Sequence, residues 1–375
     1  MSVEKTLAEL VAIESISSRS NSGIIKFLAS RTERLGFRVR FLPYTDEQGV
    51  EKVNMIAVAG TEAEDIDVEL ALVGHTDTVP FDPAWSEALQ LTERDGKLFA
   101  RGACDTKGFI AAALAAVEEI DLQGLARPLA LVFTADEEIG CLGAKRLADA
   151  RALHARYSIV GEPTSLQPMR AGKGYCLAEI ILRGREGHSA YPALGASAIF
   201  RAARLVSRIE RLAEELKRDE RAMFEPPYTT LNVGLINGGT AKNIIAGECR
   251  FTLEWRPVPG QNPEHLLDLI RAAIDDEKSR DEDFDCALNV IRLDEGMETA
   301  ADSKLVRLLE ETTGHEAGTI AFGTEAPQMI ELGAEAVVVG PGNIRVAHRT
   351  GEFVPVDELR ECVKILKRAI EHFCM

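Results

Sequence analysis

Side chains able to bind a cation or move a proton punctuate this chain at His75, Asp77, Asp105, Glu137, Glu138, Glu162 and His348. Three of the groups follow directly on apolar, strand-like runs: Val68 to Val73, Leu129 to Phe133, and Tyr157 to Val160. In an open α/β sheet, side chains just past the carboxyl ends of strands converge on one crevice, where ligands bind. Carboxylates and imidazoles crowded there repel one another unless cations neutralise them. The pattern therefore asks for metal, and for two ions.

His75 and Asp77 stand two apart at a strand end, so in extended chain they point to the same side. A metal-bound imidazole usually gives its other N–H to an acceptor that fixes the ring. His75 as ligand with Asp77 as its orienting partner fits that need, although a turn pair would look the same. Asp105 precedes a helix, where a simple N-cap is the ordinary role, yet a carboxylate can also bridge two ions. Glu137 and Glu138 are adjacent, so their side chains diverge. One can bind metal while the other accepts a proton from water, and a solvated acidic turn is the plainer alternative. Glu162 precedes Pro163, which holds its backbone extended or in a turn. Cys104, beside Asp105, reads as a small packed residue in preference to a thiolate nucleophile.

The elements that must position these residues alternate through the first half of the chain. Helices are expected at 4–14, 20–35, 109–120 and 144–150, and strands at 37–43, 54–59, 68–74, 129–134 and 157–160. Such alternation predicts an α/β fold, a mixed sheet flanked by helices. From Tyr175 the order becomes β-α-β-β-α-β, with strands at 175–183, 230–236, 248–255 and 284–292 and helices at 197–217 and 263–278, a ferredoxin-like α+β arrangement. Helix 303–312, strand 336–339 and helix 356–372 then resume the first pattern. The expected organisation is a catalytic domain of residues 1–173 and 294–375, interrupted by an inserted domain of residues 174–293.

At 375 residues, about two domains are expected. A net charge of −17 argues against nucleic acid and anionic membranes, which require clustered Lys and Arg. No run approaches the roughly 20 apolar residues of a membrane span. The Met1-Ser2-Val3-Glu4-Lys5 start has no apolar signal-type core. Seven cysteines without CxxC spacing fit reduced thiols in a cytoplasmic protein.

Taken together, the ordered stretches Gly74-His75-Thr76-Asp77, Arg101 through Gly108, Asp136 through Gly140, Gly161-Glu162-Pro163-Thr164 and Ala347-His348-Arg349 resemble the dizinc M20 family of amidohydrolases and peptidases. Gly187-His188-Ser189-Ala190, Gly239 through Asn243 and the strand ending in Arg256 extend the likeness over almost the whole chain. The resemblance implies a zinc-exopeptidase-like catalytic domain. It implies one zinc on His75 and Glu162 and a second on Glu138 and His348, with Asp105 bridging both. Glu137 would be the general base and Asp77 the orienting partner of His75. Cobalt or manganese could replace zinc at such nitrogen and oxygen ligands. The inserted domain would act as a lid and dimerisation domain of a homodimer, presenting His188 to the neighbouring subunit's site as an oxyanion donor.

The family spans several substrates, all small N-acyl amino acids or peptides. Arg256 could grip an α-carboxylate bidentately, with Asn243 as a neutral donor. Glu325, in Thr324-Glu325-Ala326-Pro327, is similar to the members that deacetylate N2-acetyl-L-ornithine in arginine biosynthesis. A carboxylate there suits a substrate's distal ammonium and repels a succinyl carboxylate. Deacetylation is thus the expected reaction. A succinyl-diaminopimelate desuccinylase, a dipeptidase or a carboxypeptidase is the alternative, while a scaffold or metal store would require a missing ligand or base.

Overall fold

Strand Asp67–His75 runs through the middle of a mixed sheet in the computed structural model, which describes residues 2–281 and 283–375. It lies between Leu129–Thr134 and His154–Val160, parallel to both, and Glu335–Val338 extends the parallel set beyond His154–Val160. On the other side, Glu51–Ala59 pairs antiparallel with Leu129–Thr134, and Arg38–Thr45 pairs antiparallel with Glu51–Ala59. Because the four central strands are parallel, their carboxyl ends emerge together. The registers His75 opposite Thr134 and Val73 opposite Val160 bring the following residues to one end of the sheet.

Both faces of the central strands are buried, as their unbroken apolar runs require. Leu70 and Leu72 enter one core with the helices Val3–Val11, Ser22–Leu35, Lys107–Glu118 and Val356–Cys374. Helix Lys107–Glu118 is buried on every side from Lys107 to Val117, which its alanine content permits. Close packing extends to Gly161, where any side chain would collide with the ring of Phe109. Glycine there lets the chain carry Glu162 across the helix.

Contacts divide the chain into a larger unit (residues 1–170, 298–318 and 324–375) and a smaller one (171–297 with 319–323). The boundaries therefore fall a few residues from the expected 173/174 and 293/294, and the 319–323 segment joins the smaller unit. Hydrogen bonds tie these flanking residues to the smaller unit: Lys173 Nζ donates to Pro226 O at 2.7 Å and Tyr228 O at 2.6 Å, Cys176 Sγ donates to Asp294 O at 3.4 Å, and the Arg256 guanidinium donates to Ala321 O at 2.7 Å. The smaller unit is a four-stranded antiparallel sheet in the order Thr230–Gly238, Glu248–Arg256, Tyr175–Arg183, Asp285–Asp294, with helices Ala198–Leu216 and Glu264–Arg280. Cys176, Ala178, Ile180 and Leu182 alternate into its core, the period of a strand covered on one face. A small sheet of Thr92–Arg94, Lys97–Phe99 and Phe353–Pro355, and the short helix Ala326–Glu331, were not expected from the sequence.

Candidate metal centre and active site

The acids and histidines from the strand ends meet in two groups that share Asp105. One is His75, Asp105 and Glu162; the other is Asp105, Glu138 and His348, with ligand atoms in each within 4.8 Å of one another. Asp105 Oδ1 lies 3.1 Å from His75 Nε2, and its Oδ2 lies 3.2 Å from His348 Nε2. His348 Nε2 is also 2.8 Å from Glu138 Oε2. The two oxygens of Asp105 thus face two different histidines. The N-cap alternative for Asp105 is not realised, since helix Lys107–Glu118 is capped at Thr106 and the carboxylate turns into the cluster. The groups differ in access: the first is buried throughout, whereas the His348 side chain is 51% exposed.

The tautomer of His75 follows from its surroundings. Its Nδ1–H donates to the backbone carbonyl of Asp77 at 3.0 Å, which leaves Nε2 as a lone-pair donor toward the cluster. The Asp77 carboxylate is farther from the ring, at 3.7 Å. It accepts instead from the backbone N–H groups of Glu137 at 3.1 Å and Glu138 at 3.3 Å, and from the Ser17 hydroxyl at 2.7 Å. Asp77 therefore orients His75 through its backbone and the acidic turn through its side chain.

The Asp136-Glu137-Glu138 turn is not a solvated loop. Asp136 is fully buried, and the Glu138 side chain is 5% exposed. Glu137 accepts a hydrogen bond from Cys141 Sγ at 3.3 Å and belongs to neither ligand group. Burial, together with the charges of Glu138, Asp105 and Glu325, pushes its carboxyl up to about 8. Burial is also the main cause that raises Glu162 well above the carboxylate range, with Asp105 and Glu137 adding to it. Burial would lower His75 and raise Asp105, but hydrogen bonds and charge outweigh it: Asp105 and the nearby Glu137 and Asp77 carry His75 up, and His348 with His75 carries Asp105 down. Hydrogen bonds to Asp105 and Glu138 lift His348 to about 10.

These donors fit a pair of divalent cations. Imidazole nitrogen and carboxylate oxygen are ordinary zinc ligands, and Asp105 is shaped to serve both positions. Glu162 Oε1 is buried with no hydrogen-bond partner among the described residues, an orphaned acceptor that a cation would satisfy.

Support for Asp105 comes from residues that pattern reading missed. Glu352, fully buried, accepts the backbone N–H groups of Cys104 at 2.9 Å and Asp105 at 3.1 Å, and pairs with Arg101. Its signal in the sequence is only a Glu four residues after His348. Cys104 is buried and its thiol is pushed well up by burial, so it packs and does not attack.

Glu325 is 1% exposed, and burial pushes its carboxyl up to about 7. It lies within electrostatic range of His75, Asp77, Glu137 and Glu162, and its Oε1 has no hydrogen-bond partner among the described residues.

His188, Asn243 and Arg256 belong to the smaller unit. His188 sits on a two-residue strand paired with Ile244–Ile245; its imidazole is exposed, and Ser189 N–H donates to Asn243 O at 3.1 Å. The Arg256 side chain is 32% exposed, stacks over Tyr175 at 4.7 Å and pairs with Glu254 at 2.7 Å.

Residues 71–372 match the sequence profile of peptidase family M20/M25/M40. A Myxococcus xanthus protein named acetylornithine deacetylase is 55% identical over 371 residues, covering 98% of this chain and 97% of that one. The fold is similar to that of a tripeptidase from Staphylococcus aureus, with a TM-score of 0.78 and 23% identity over 99% of this chain and 97% of that one. It is also similar to a Bacillus subtilis protein described as a dinuclear metal binding peptidase from the M20 family, with a TM-score of 0.71 and 12% identity over 99% and 97% of the two chains.

Proposed function

The chain belongs to peptidase family M20/M25/M40, and from that premise we propose that it hydrolyses the acetyl amide of N2-acetyl-L-ornithine to acetate and L-ornithine. The observation that carries the chemistry is Asp105, whose two carboxylate oxygens face His75 and His348 separately. The choice of substrate is supported by the near full-length relative named for that reaction.

His75 and Glu162 would hold one ion and Glu138 and His348 the other, with Asp105 shared; the nitrogen and oxygen donors favour zinc and tolerate cobalt or manganese. Bound there, divalent cations neutralise the carboxylates, polarise the scissile carbonyl and acidify water. Glu137, free of ligand duty, accepts a proton from the attacking water and returns it to the departing α-amine. Its raised affinity for protons suits that exchange near neutral pH. Asp77 holds the Glu137 and Glu138 amides and the His75 ring in register.

In the smaller unit, Arg256 is suited to the substrate's α-carboxylate and Asn243 to a neutral contact. Stacking on Tyr175 holds the Arg256 guanidinium in place while part of it stays exposed. His188 would donate to the developing oxyanion of a neighbouring subunit in a homodimer. An edge strand with Leu235 and Ile236 exposed, and Ile199 and Phe200 exposed on the helix Ala198–Leu216, supports such pairing. Glu325 disfavours a second carboxylate near the cluster and favours an ammonium-bearing substrate. Seven free thiols support a cytoplasmic setting, and no helix among the described residues is long and apolar enough to cross a membrane.

The test is a panel of acetylornithine, succinyl-diaminopimelate and a dipeptide with zinc-loaded protein. The highest kcat/KM is expected for acetylornithine; preference for the succinyl compound would overturn the substrate and the role of Glu325 together.

A further inference from the structure

Behind the acidic turn lies a buried lysine that none of the reaction steps above uses. Lys52, on strand Glu51–Ala59, is 1% exposed. Its ammonium donates to Asp136 Oδ1 at 2.7 Å and to the backbone carbonyl of Ser17, and lies 3.9 Å from Asp46. The first two contacts lead to different parts of the active site. Asp136 immediately precedes Glu137, and its φ of 58° begins the turn that reverses the chain. Its second oxygen accepts from the Tyr44 hydroxyl at 2.8 Å, and Arg146 lies 4.4 Å over the Tyr44 ring. Ser17 donates its hydroxyl to Asp77 Oδ2 at 2.7 Å, the same carboxylate that receives the Glu137 and Glu138 amides.

We propose that Lys52 is a positioning residue, its one ammonium setting both the base turn, through Asp136, and the Asp77 carboxylate, through Ser17. The physical argument is geometric. A residue in the left-handed region costs energy for any side chain but glycine, and the bonds of the Asp136 carboxylate to Lys52 and Tyr44 help hold it there. The ammonium is compact and carries several donors, which lets it serve two acceptors from separate segments of chain. It also places a positive charge on Asp136, which Asp77 repels at a site where water cannot screen the interaction. Losing it removes the charged anchor from both ends of the turn that aims Glu137, while none of the five ligand residues loses a contact of its own.

The inference rests on the hydrolytic reading, and its test is built to fail separately. The metal-loaded full chain and its variants are assayed on whichever amide of the panel the wild type cleaves fastest, so a different substrate leaves the test of Lys52 intact. Lys52→Met is expected to lower kcat about 100-fold, the scale of a misplaced reacting group, with KM within about twofold of wild type. Metal content should stay at the wild-type level. Lys52→Met with Asp136→Asn removes both halves of the ion pair and should recover the unfolding midpoint, yet kcat should remain low because the Ser17 carbonyl, and through it the Asp77 carboxylate, still lacks the ammonium. Two results overturn the proposal: wild-type kcat in Lys52→Met, or recovery of kcat along with the midpoint in the double variant, which would make Lys52 purely structural. If Lys52→Met alone does not fold, the double variant decides the question by the same criterion.

Discussion

Glu137 and Glu138 show how one position separates two kinds of carboxylate. Glu138 turns its oxygen to His348 at 2.8 Å, whereas Glu137 stays outside both ligand groups and takes only the weak Cys141 thiol donor among its described side-chain bonds. A weak donor fixes a carboxylate without satisfying it, which suits a base. Glu137→Gln should therefore lower kcat by about 10²–10⁴-fold, the usual contribution of a general base, while metal content is unchanged. Paired kinetics and elemental analysis would check this; loss of metal in parallel with activity would make Glu137 a ligand instead. Glu325 is a further carboxylate beside the cluster. Its sequence context suggests a contact at the substrate's tail; it is as buried as His75, Asp105 and Glu162, and it lies in the electrostatic field of His75.

Among the elements, the loop that carries Asp105 depends on a partner distant in sequence. Glu352 ties it down by accepting two consecutive amides and pairing with Arg101, all inside the protein. Glu352→Ala leaves the buried Arg101 guanidinium without its counter-charge, only the Pro80 carbonyl remaining at 3.3 Å, and leaves two amides unanswered. It is expected to cost about 3–5 kcal/mol of stability, the range for breaking a buried pair. Metal affinity should weaken about 10–100-fold, as for other residues that hold a ligand in place. Denaturant unfolding and metal titration measure the two effects, and a variant with wild-type values in both would remove Glu352 from the design. The parallel strands were legible in advance because fully buried strands read as continuous apolar runs. The added residues Glu51 to Val53 at the start of strand Glu51–Ala59 were not, since a charged Glu-Lys pair obscures the pattern.

For the whole molecule, metal, protons and stability are linked. In the metal-free protein, burial raises Glu137 to about 8 and Glu325 to about 7, from an ordinary value of 4.5. A raised group retains a proton in the folded state that the unfolded chain has already released. Its contribution to stability is present below the ordinary value and is lost as pH rises through the folded one. Chelated protein should therefore lose stability from about pH 4.5 to about pH 8, while the metal-loaded form, whose cations replace those protons, should not. Melting temperatures of both forms across that range would test it. A gap that is constant or narrows with rising pH would contradict the arrangement of buried acids described above.

The sequence by itself determined the donors and their order, because ligand chemistry resides in residue types, and it determined the alternation of elements, because burial leaves a periodic trace. What only the tertiary structure decided is how those donors are held. Lys52 and Asp136 are 84 residues apart, and Arg101 and Glu352 are 251 apart. No local pattern marks such pairs, since a buried charge is recognisable only once its partner and its exclusion from water are known. The same holds for the difference between the buried His75 group and the accessible His348 group. Both contain the same kinds of side chain, and packing alone gives them different access to substrate.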